Sequence, residues 1–245
     1  MDTCKNCNEP VTGKFCSNCG NPADLKRING RYIFHEIAHF FYAEKGWLYT
    51  VKRMLVAPGD SVRQYLTEDR SRYIKPITFA IVTSLIYTII CHFFQIDTDT
   101  FNTQLSGEAY QEMLPTQTLL TNWVIDNNGY ATMIIGLLMA FWIKLFFRKS
   151  AYNLFEFFVL LCYLSGITTL ISSVLFIIQG LTNLSLISTT VLIVAAYYTW
   201  GIAQFFDKRK VGNYIKGLLS HFLGSLTCGI LITFIAIFVD IIIKN

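Results

Sequence analysis

The sequence lacks the short motifs that mark nucleotide-binding proteins and serine hydrolases. It contains no G-x-x-x-x-G-K-[ST] loop, no G-x-G-x-x-G turn and no G-x-S-x-G pentapeptide with partners. The sequence therefore gives no motif that would support nucleotide-dependent catalysis or a serine nucleophile. Residues 1–22 also lack an apolar stretch, so we expect no cleavable signal peptide.

Polar residues are too few for an ordinary soluble domain. Hydrophobic residues make up 53% of the 245 positions, and they include 20 phenylalanines, 13 tyrosines and 4 tryptophans. Lipid-facing helices with aromatic residues at both interfaces have this kind of composition. The composition indicates an integral membrane protein, with the lipid bilayer as its main partner.

Five apolar segments reach the length of about 20 residues that a membrane-spanning helix needs. They are Pro76 to Gln95, Gly129 to Phe147, Tyr152 to Ile178, Leu186 to Phe206 and Gly217 to Ile243. None of them places an acidic side chain at mid-membrane, where a proton-coupled transporter normally needs one. We predict an all-α integral membrane protein with five transmembrane helices.

Charged and polar side chains within these segments fall near their ends and have structural interpretations. Lys144 and Glu156 can pair across a tight turn, and Asp240 lies one helical turn before Lys244. We expect His221 to lie close to an interface, where a polar ring reaches the headgroups.

Lysine and arginine lie almost entirely on one side of the five segments. Twelve precede Pro76, three lie around the turn between the second and third segments, four lie around the turn between the fourth and fifth, and only Lys244 falls on the other side. The stretch from Ile96 to Asn128 carries five acidic residues and no basic one. The positive-inside rule makes the basic side cytoplasmic. We therefore predict a cytoplasmic amino terminus and an external carboxyl terminus.

Four cysteines near the beginning have the spacing of a closed metal site. Cys4 and Cys7 form one C-x-x-C pair, and Cys16 and Cys19 form a second pair after eight intervening residues. Two such pairs can complete a tetrahedral shell around Zn²⁺ with no open position, so the metal is predicted to be structural. Thiolate ligands need a reducing compartment, which agrees with a cytoplasmic amino terminus.

Residues 1–22 are thus predicted to form a small zinc ribbon that cannot build a core without its metal. Ribbons bind either nucleic acid or protein. Lys5 and Lys14 are the only basic residues of this one, and so little positive charge argues against nucleic acid as a ligand. A cytoplasmic protein partner is the favoured interpretation.

Residues 23–75 show the pattern of amphipathic helices between the ribbon and the first span. One apolar stripe consists of Ile33, Ile37, Phe40 and Phe41, and a second consists of Trp47, Leu48, Val51, Met54 and Leu55. Basic residues flank the second stripe. Two placements remain open: the helices lie in the headgroup plane, or they pack on the cytoplasmic ends of the spans.

His35, Glu36 and His39 form an H-E-x-x-H sequence within the first of these helical patterns. In zinc proteases this motif supplies two metal ligands and the general base. A third ligand is also required. The loose candidates for it are Glu44, Asp60, Glu68 and Asp69. Because both histidines fall on the polar side of the helix, a solvated or membrane-facing surface is favoured over a catalytic site.

Three strings of residues precede the first span in a fixed order. They are EKGWLYT from Glu44, PGDSVRQYL from Pro58 and YIKP from Tyr73. Together with the cysteine pairs and the His-containing helix, they resemble an uncharacterised bacterial membrane family, domain of unknown function 3667. The resemblance implies a zinc-ribbon head on a multi-span body in a bacterial inner membrane, with no assigned activity. The five spans also resemble the Yip-type membrane proteins in architecture, which transfers no function.

These patterns predict three parts: a zinc ribbon over residues 1–22, cytoplasmic amphipathic helices over residues 23–75 and a five-span domain over residues 76–245. The predicted function is binding or scaffolding, in which the ribbon presents a surface to a protein partner. The alternatives are a metalloprotease that uses His35, Glu36 and His39, and a transporter of small solutes or lipids. Taken together, the motifs favour a protein without enzymatic activity.

The predicted topology can be measured with reporter fusions. A reporter placed after Asn245 should behave as external, and one inserted near Lys210 should behave as cytoplasmic, because nineteen of the twenty basic residues lie on one side. A cytoplasmic reporter at Asn245, or a count of four or six spans, would contradict the prediction.

Overall fold

The computed structural model describes residues 3, 4, 7, 9, 10, 13, 16–19, 46–94, 115–182 and 184–244. The chain forms two compact units, Met1–Lys45 and Gly46–Asn245. The described residues of the first unit are the four cysteines and their immediate neighbours. The described residues of the second unit are almost entirely helical.

Eight α-helices follow one another in the described part of the second unit. They are α1 (Trp47–Val56), α2 (Pro58–Thr67), α3 (Pro76–Phe93), α4 (Pro115–Asp126), α5 (Asn128–Phe146), α6 (Leu154–Thr182), α7 (Ile187–Phe206) and α8 (Val211–Lys244). Five of them, namely α3 and α5 to α8, are long and apolar enough to cross a membrane. The predicted all-helical membrane protein with five spans is confirmed at this level.

The helix boundaries follow from local chemistry. Proline occupies the first position of α2 and of α3, where its missing N–H costs nothing. Before α6, the Asn153 side-chain oxygen accepts a bond from the Glu156 backbone (3.0 Å), and Glu156 accepts one from the Asn153 backbone (2.7 Å). This reciprocal cap uses up the Glu156 carboxylate. The predicted pair with Lys144 is wrong, because the Lys144 ammonium donates to the carbonyl of Tyr152 instead, at 2.7 Å.

Helix α6 is the centre of the bundle, and α3, α5 and α7 pack around it. Phe157, Leu160, Tyr163, Leu164 and Ile167 on this helix are fully buried. Lipid is as apolar as these side chains, so close packing and hydrogen bonds hold the helices together. The outward faces carry many exposed aliphatic and aromatic residues, as a lipid-facing surface does.

Over residues 46–75, helices α1 and α2 pack on the end of the bundle, and their placement relative to the headgroups stays a prediction. Met54 and Val62 have no exposed surface. The Tyr197 hydroxyl donates to the Met54 carbonyl at 2.8 Å. Two members of the predicted apolar stripe, Leu48 and Leu55, lie on the outer side of α1 and are 80% and 46% exposed.

The segment between α2 and α3 is bound to both neighbours. The Ile74 backbone N–H donates to the Thr50 hydroxyl of α1 at 3.1 Å, and the Ile74 carbonyl accepts a bond from Tyr163 of α6. The Tyr73 hydroxyl donates to Gln64 of α2 at 2.7 Å. The YIKP segment therefore connects α1 and α2 to the first span and is held by hydrogen bonds to α1, α2 and α6.

Two helices differ from the sequence prediction. The acidic stretch from Ile96 to Asn128, which we interpret as an external loop, contains a helix over residues 115–126, α4, where Thr116 donates a hydrogen bond to the buried carboxylate of Asp240. Helix α8 begins at Val211, six residues before the predicted start at Gly217. It has 34 residues. Only 11% of its most apolar stretch is buried in the protein.

We expect Gly59→Ala to destabilise the protein. A Cβ at Gly59 would lie 2.2 Å from the Phe205 backbone nitrogen and 2.5 Å from the Gln204 carbonyl carbon, and neither atom can move aside as a flexible side chain would. A core clash of this kind costs about 1–3 kcal/mol or more. Thermal unfolding of the purified full chain measures the effect.

Gly212→Ala is the matched control, since a Cβ at this helical residue would have nothing within 4 Å of it. Alanine there should leave the melting temperature unchanged or raise it slightly, because it favours a helix by about 1 kcal/mol over glycine. Equal effects of the two substitutions would contradict close packing at Gly59.

Candidate metal centre

The four predicted cysteine ligands come together in the first unit. Three sulfur–sulfur distances, Cys4–Cys19, Cys7–Cys16 and Cys7–Cys19, are each 3.5 Å. All four sulfurs lie within 4.8 Å of one another. A tetrahedron of Zn–S bonds of about 2.3 Å has edges of about 4 Å. The quartet therefore has the size of a metal-binding shell, although the distances do not identify the metal.

Backbone turns place these sulfurs. The Cys4 N–H donates to the Glu9 carbonyl at 2.9 Å, and Thr3 and Pro10 form an antiparallel bridge, so the chain folds back around Cys7. A turn over residues 17–19 carries the second pair. Cys4 and Cys16 are buried. Two reversals of the chain are thus enough to bring residues fifteen positions apart into contact.

Backbone amides bond to two of the sulfurs in the manner that stabilises a thiolate. The N–H groups of Cys19 and Asn18 hold the pKa of Cys16 below its usual value. The backbone N–H of Glu9 likewise lowers the pKa of Cys7, but partial burial and the adjacent sulfurs outweigh it and raise that pKa to about 12. Four thiolates at contact distance repel one another, and a divalent cation at their centre removes that repulsion.

The H-E-x-x-H residues His35, Glu36 and His39 lie outside the described residues, as does Glu44. Two of the other third-ligand candidates have partners of their own. Asp60 pairs with Arg63. Asp69 accepts bonds from the Ser71 hydroxyl (2.6 Å) and the Ser71 N–H (2.8 Å) and pairs with Arg72 (3.1 Å).

These contacts also lower the pKa of Asp69. The Ser71 hydroxyl has the largest effect, followed by the Ser71 N–H and then by Arg72. These bonds stabilise the ionised Asp69 carboxylate in its present position. Asp69 could therefore bind a metal only after they were broken. Glu68 is exposed.

Sequence reasoning did not identify a polar cavity inside the bundle. It has a volume of about 240 Å³ and is lined by residues of α3, α5, α6, α7 and α8. The polar side chains of its lining are Tyr87, Thr132, Thr168, Thr169, Ser172, Tyr198, His221 and Ser225. The His221 ring stacks on Tyr198 with centroids 4.9 Å apart. Hydroxyl residues are ordinary in apolar helices, so no sequence signal marks this cavity.

The fold and the cysteine quartet define a class: a multi-pass integral membrane protein of unknown activity with a compact Cys₄ cluster. Residues 44–88 match the family described as Protein of unknown function (DUF3667). The match covers α1, α2 and most of α3, so this part of the chain is similar to that family. No curated protein and no solved structure matches the chain.

We expect one bound metal ion per chain, because the four sulfurs form a single closed shell. Metal analysis of the purified full chain should give about one equivalent. Cys16→Ser should lose most of it, since a serine hydroxyl is a poor substitute for a thiolate. Cys91→Ser is the control, because Cys91 lies in α3, far along the chain from the quartet, and should retain the full equivalent.

A content of two ions per chain would favour a second site at the H-E-x-x-H residues. Equal metal loss in the Cys16 and Cys91 variants would contradict the quartet as the site.

Proposed function

We propose that this protein is a bacterial inner-membrane protein that binds a cytoplasmic protein partner through a zinc ribbon. The convergence of Cys4, Cys7, Cys16 and Cys19 carries this proposal. A shell of four sulfurs leaves no position for a substrate or an activated water, so the metal stabilises a fold instead of performing chemistry. A folded module without chemistry, attached to a membrane anchor, is suited to binding.

Zinc is the metal that best fits the donor set. Four thiolates in tetrahedral arrangement select Zn²⁺ or iron, whereas Mg²⁺ and Ca²⁺ need oxygen ligands. The ribbon is too small to fold by burial of apolar surface alone, so the metal supplies most of its stability. The ion is thus a structural cofactor.

The charge distribution supports a cytoplasmic location for the ribbon. In the described part of the second unit, the basic residues of α2 and those of the α5–α6 and α7–α8 turns belong to the same end of the bundle, since α2 contacts the end of α7. That end is cytoplasmic by the positive-inside rule. The chain enters α1 at the same end, which supports a reducing compartment for the cysteines.

A protein is the better-fitting partner for the ribbon. Ser17, Asn18 and Cys19 form an exposed turn without charge, and the few basic residues of the ribbon offer little attraction to phosphates. The exposed side-chain amide of Asn18 suits recognition by another polypeptide. The likeness to Yip-type proteins remains a prediction and adds nothing to this assignment.

A metalloprotease is the weaker alternative. Asp60 and Asp69 are engaged in ion pairs and hydrogen bonds within the α2 region, so neither offers a free carboxylate to His35 and His39. A protease would also require a second metal ion in addition to the one in the cysteine quartet.

Transport of a small polar solute is the second candidate, and the cavity inside the bundle favours it. Its lining has hydroxyl groups and an imidazole but no charged side chain. The His221 Nδ1 is buried and, among the described residues, has no hydrogen-bond partner. His221 lines the cavity together with Thr168 and Ser172 of α6, and its position relative to an interface stays a prediction. Such a site can hold a neutral molecule with hydrogen-bonding groups.

Site-specific photo-crosslinking in native membranes tests the scaffolding role. A photoreactive residue at Asn18 should give one discrete crosslinked protein band, and the same residue at Lys208, in the exposed α7–α8 turn, should not. Cys16→Ser should abolish the band, because the turn depends on the metal. A metal-independent band, or solute uptake by reconstituted vesicles without any Asn18 crosslink, would contradict scaffolding and favour transport.

A further inference from the structure

A basic recess opens at the end of the bundle between the α5–α6 turn and the α7–α8 turn. Its volume is about 650 Å³. Arg148, Lys149, Lys210 and Lys216 line it, together with one carboxylate, Asp207. Four cations and one anion leave a net charge of +3, so the recess attracts an anion.

The single carboxylate is already committed to the turn. Asp207 accepts a bond from the Arg209 N–H at 3.0 Å and pairs with Lys210 at 3.5 Å. The Arg209 N–H and, after it, the nearby cations hold the pKa of Asp207 below its usual value, so it stays ionised and bound to Lys210. Arg148 and Lys149 are exposed and form no ion pair with any described residue. Among the described residues, these two cations therefore have no anionic partner.

The base of the recess is rigid and contains an unpaired donor. The Phe147 and Phe206 rings stack in parallel, 3.6 Å between centroids, and the Lys216 ammonium lies 5.1 Å above Phe147. The Ser150 hydroxyl lines the recess, is buried, and has no hydrogen-bond partner among the described residues. A buried hydroxyl without a partner is costly, and an ordered water or an oxygen of a bound ligand can satisfy it.

The recess continues onto an apolar surface. Leu145 lines it and is 48% exposed, and Phe141, one turn earlier on the same helix, is 59% exposed. Both lie on the outward face of the transmembrane helix α5. A ligand with a charged head and an apolar tail can therefore contact the cations and this outward face together, which a free anion cannot do.

We propose that this recess binds the phosphate headgroup of an anionic phospholipid from the cytoplasmic leaflet. Arg148, Lys149 and Lys216 supply the positive charge, and the Ser150 hydroxyl donates to a phosphate oxygen. One acyl chain lies along Leu145 and Phe141. The site is independent of the cysteine quartet and of the partner proposed for it.

Native mass spectrometry of the delipidated full chain in detergent tests the proposal. The probes are phosphatidylglycerol, phosphatidylcholine and inorganic phosphate. We expect one retained phosphatidylglycerol and neither of the other two. The double variant Lys149→Gln/Lys216→Gln should weaken phosphatidylglycerol binding on the order of tenfold or more, because each cation near a membrane anion contributes appreciably.

The matched control is Lys208→Gln/Arg209→Gln, which removes the same charge from the same end of the bundle. Neither residue lines the recess, so binding should stay within about twofold of the wild type. Ser150→Ala keeps every charge and should also weaken binding. If the Lys216 variant does not fold, Lys149→Gln alone carries the charge test, because Lys149 is exposed and forms no described side-chain contact.

Three results would overturn the proposal. Equal weakening by the recess pair and the control pair would show attraction to the overall charge only. Equal retention of phosphatidylcholine would show that the headgroup is not recognised. Displacement of phosphatidylglycerol by inorganic phosphate at similar concentration would show a free-anion site in place of a lipid site.

Discussion

The backbone contact between Gly59 and the end of α7 is the constraint on which the second unit depends. A buried N–H needs an acceptor, and Gly59 finds one in the Gln204 side chain, 145 residues later in the chain. The contact allows no side chain at Gly59. Tyr197, which reaches the carbonyl of Met54, and Tyr163, which reaches that of Ile74, add two more bonds between the first helices and the spans. The segment matched to the family is thus built into the membrane body and is not a linker to it.

The same end of the bundle carries most of its specific polar chemistry. Lys144 fixes the α5–α6 turn by donating to Tyr152, and Asp207 fixes the α7–α8 turn by accepting from Arg209. Aromatic rings fill the space between these turns, since Tyr152 contacts Phe205 and Phe147 stacks on Phe206. The turns are therefore rigid enough to hold the cations of the recess in fixed positions. At the opposite end, the described residues form fewer such contacts, among them the bond from Thr116 to Asp240.

Patterns within one stretch of the chain can be read from the sequence, whereas contacts between residues far apart in the chain cannot. Apolar length gave the five spans, and C-x-x-C spacing gave the cysteine quartet, because both depend on residues close together in the chain. The sequence does not predict α4, because its first residues, Pro-Thr-Gln-Thr, are polar. Its hydrogen bond to Asp240 forms only when distant parts of the chain come together in the fold. Leu48 and Leu55 share an apolar stripe with the buried Met54 but are exposed, because periodicity cannot tell a protein core from lipid or solvent. The recess and the cavity need helices from different parts of the chain, and no local pattern encodes them.

Helix α8 has a length that the bilayer cannot accommodate at right angles. Its 34 residues extend about 51 Å, whereas the hydrocarbon core is about 30 Å thick. Only a small share of its apolar stretch is buried in the protein, so lipid contacts most of that stretch and influences its inclination. Hydrophobic matching then sets the tilt: a thin bilayer tilts the helix more, and a thick one draws it upright. Since α8 begins directly after the fixed α7–α8 turn, a change of tilt displaces its distal end and not the cations near its start, which makes the geometry of that distal end a property of the protein and its lipids together.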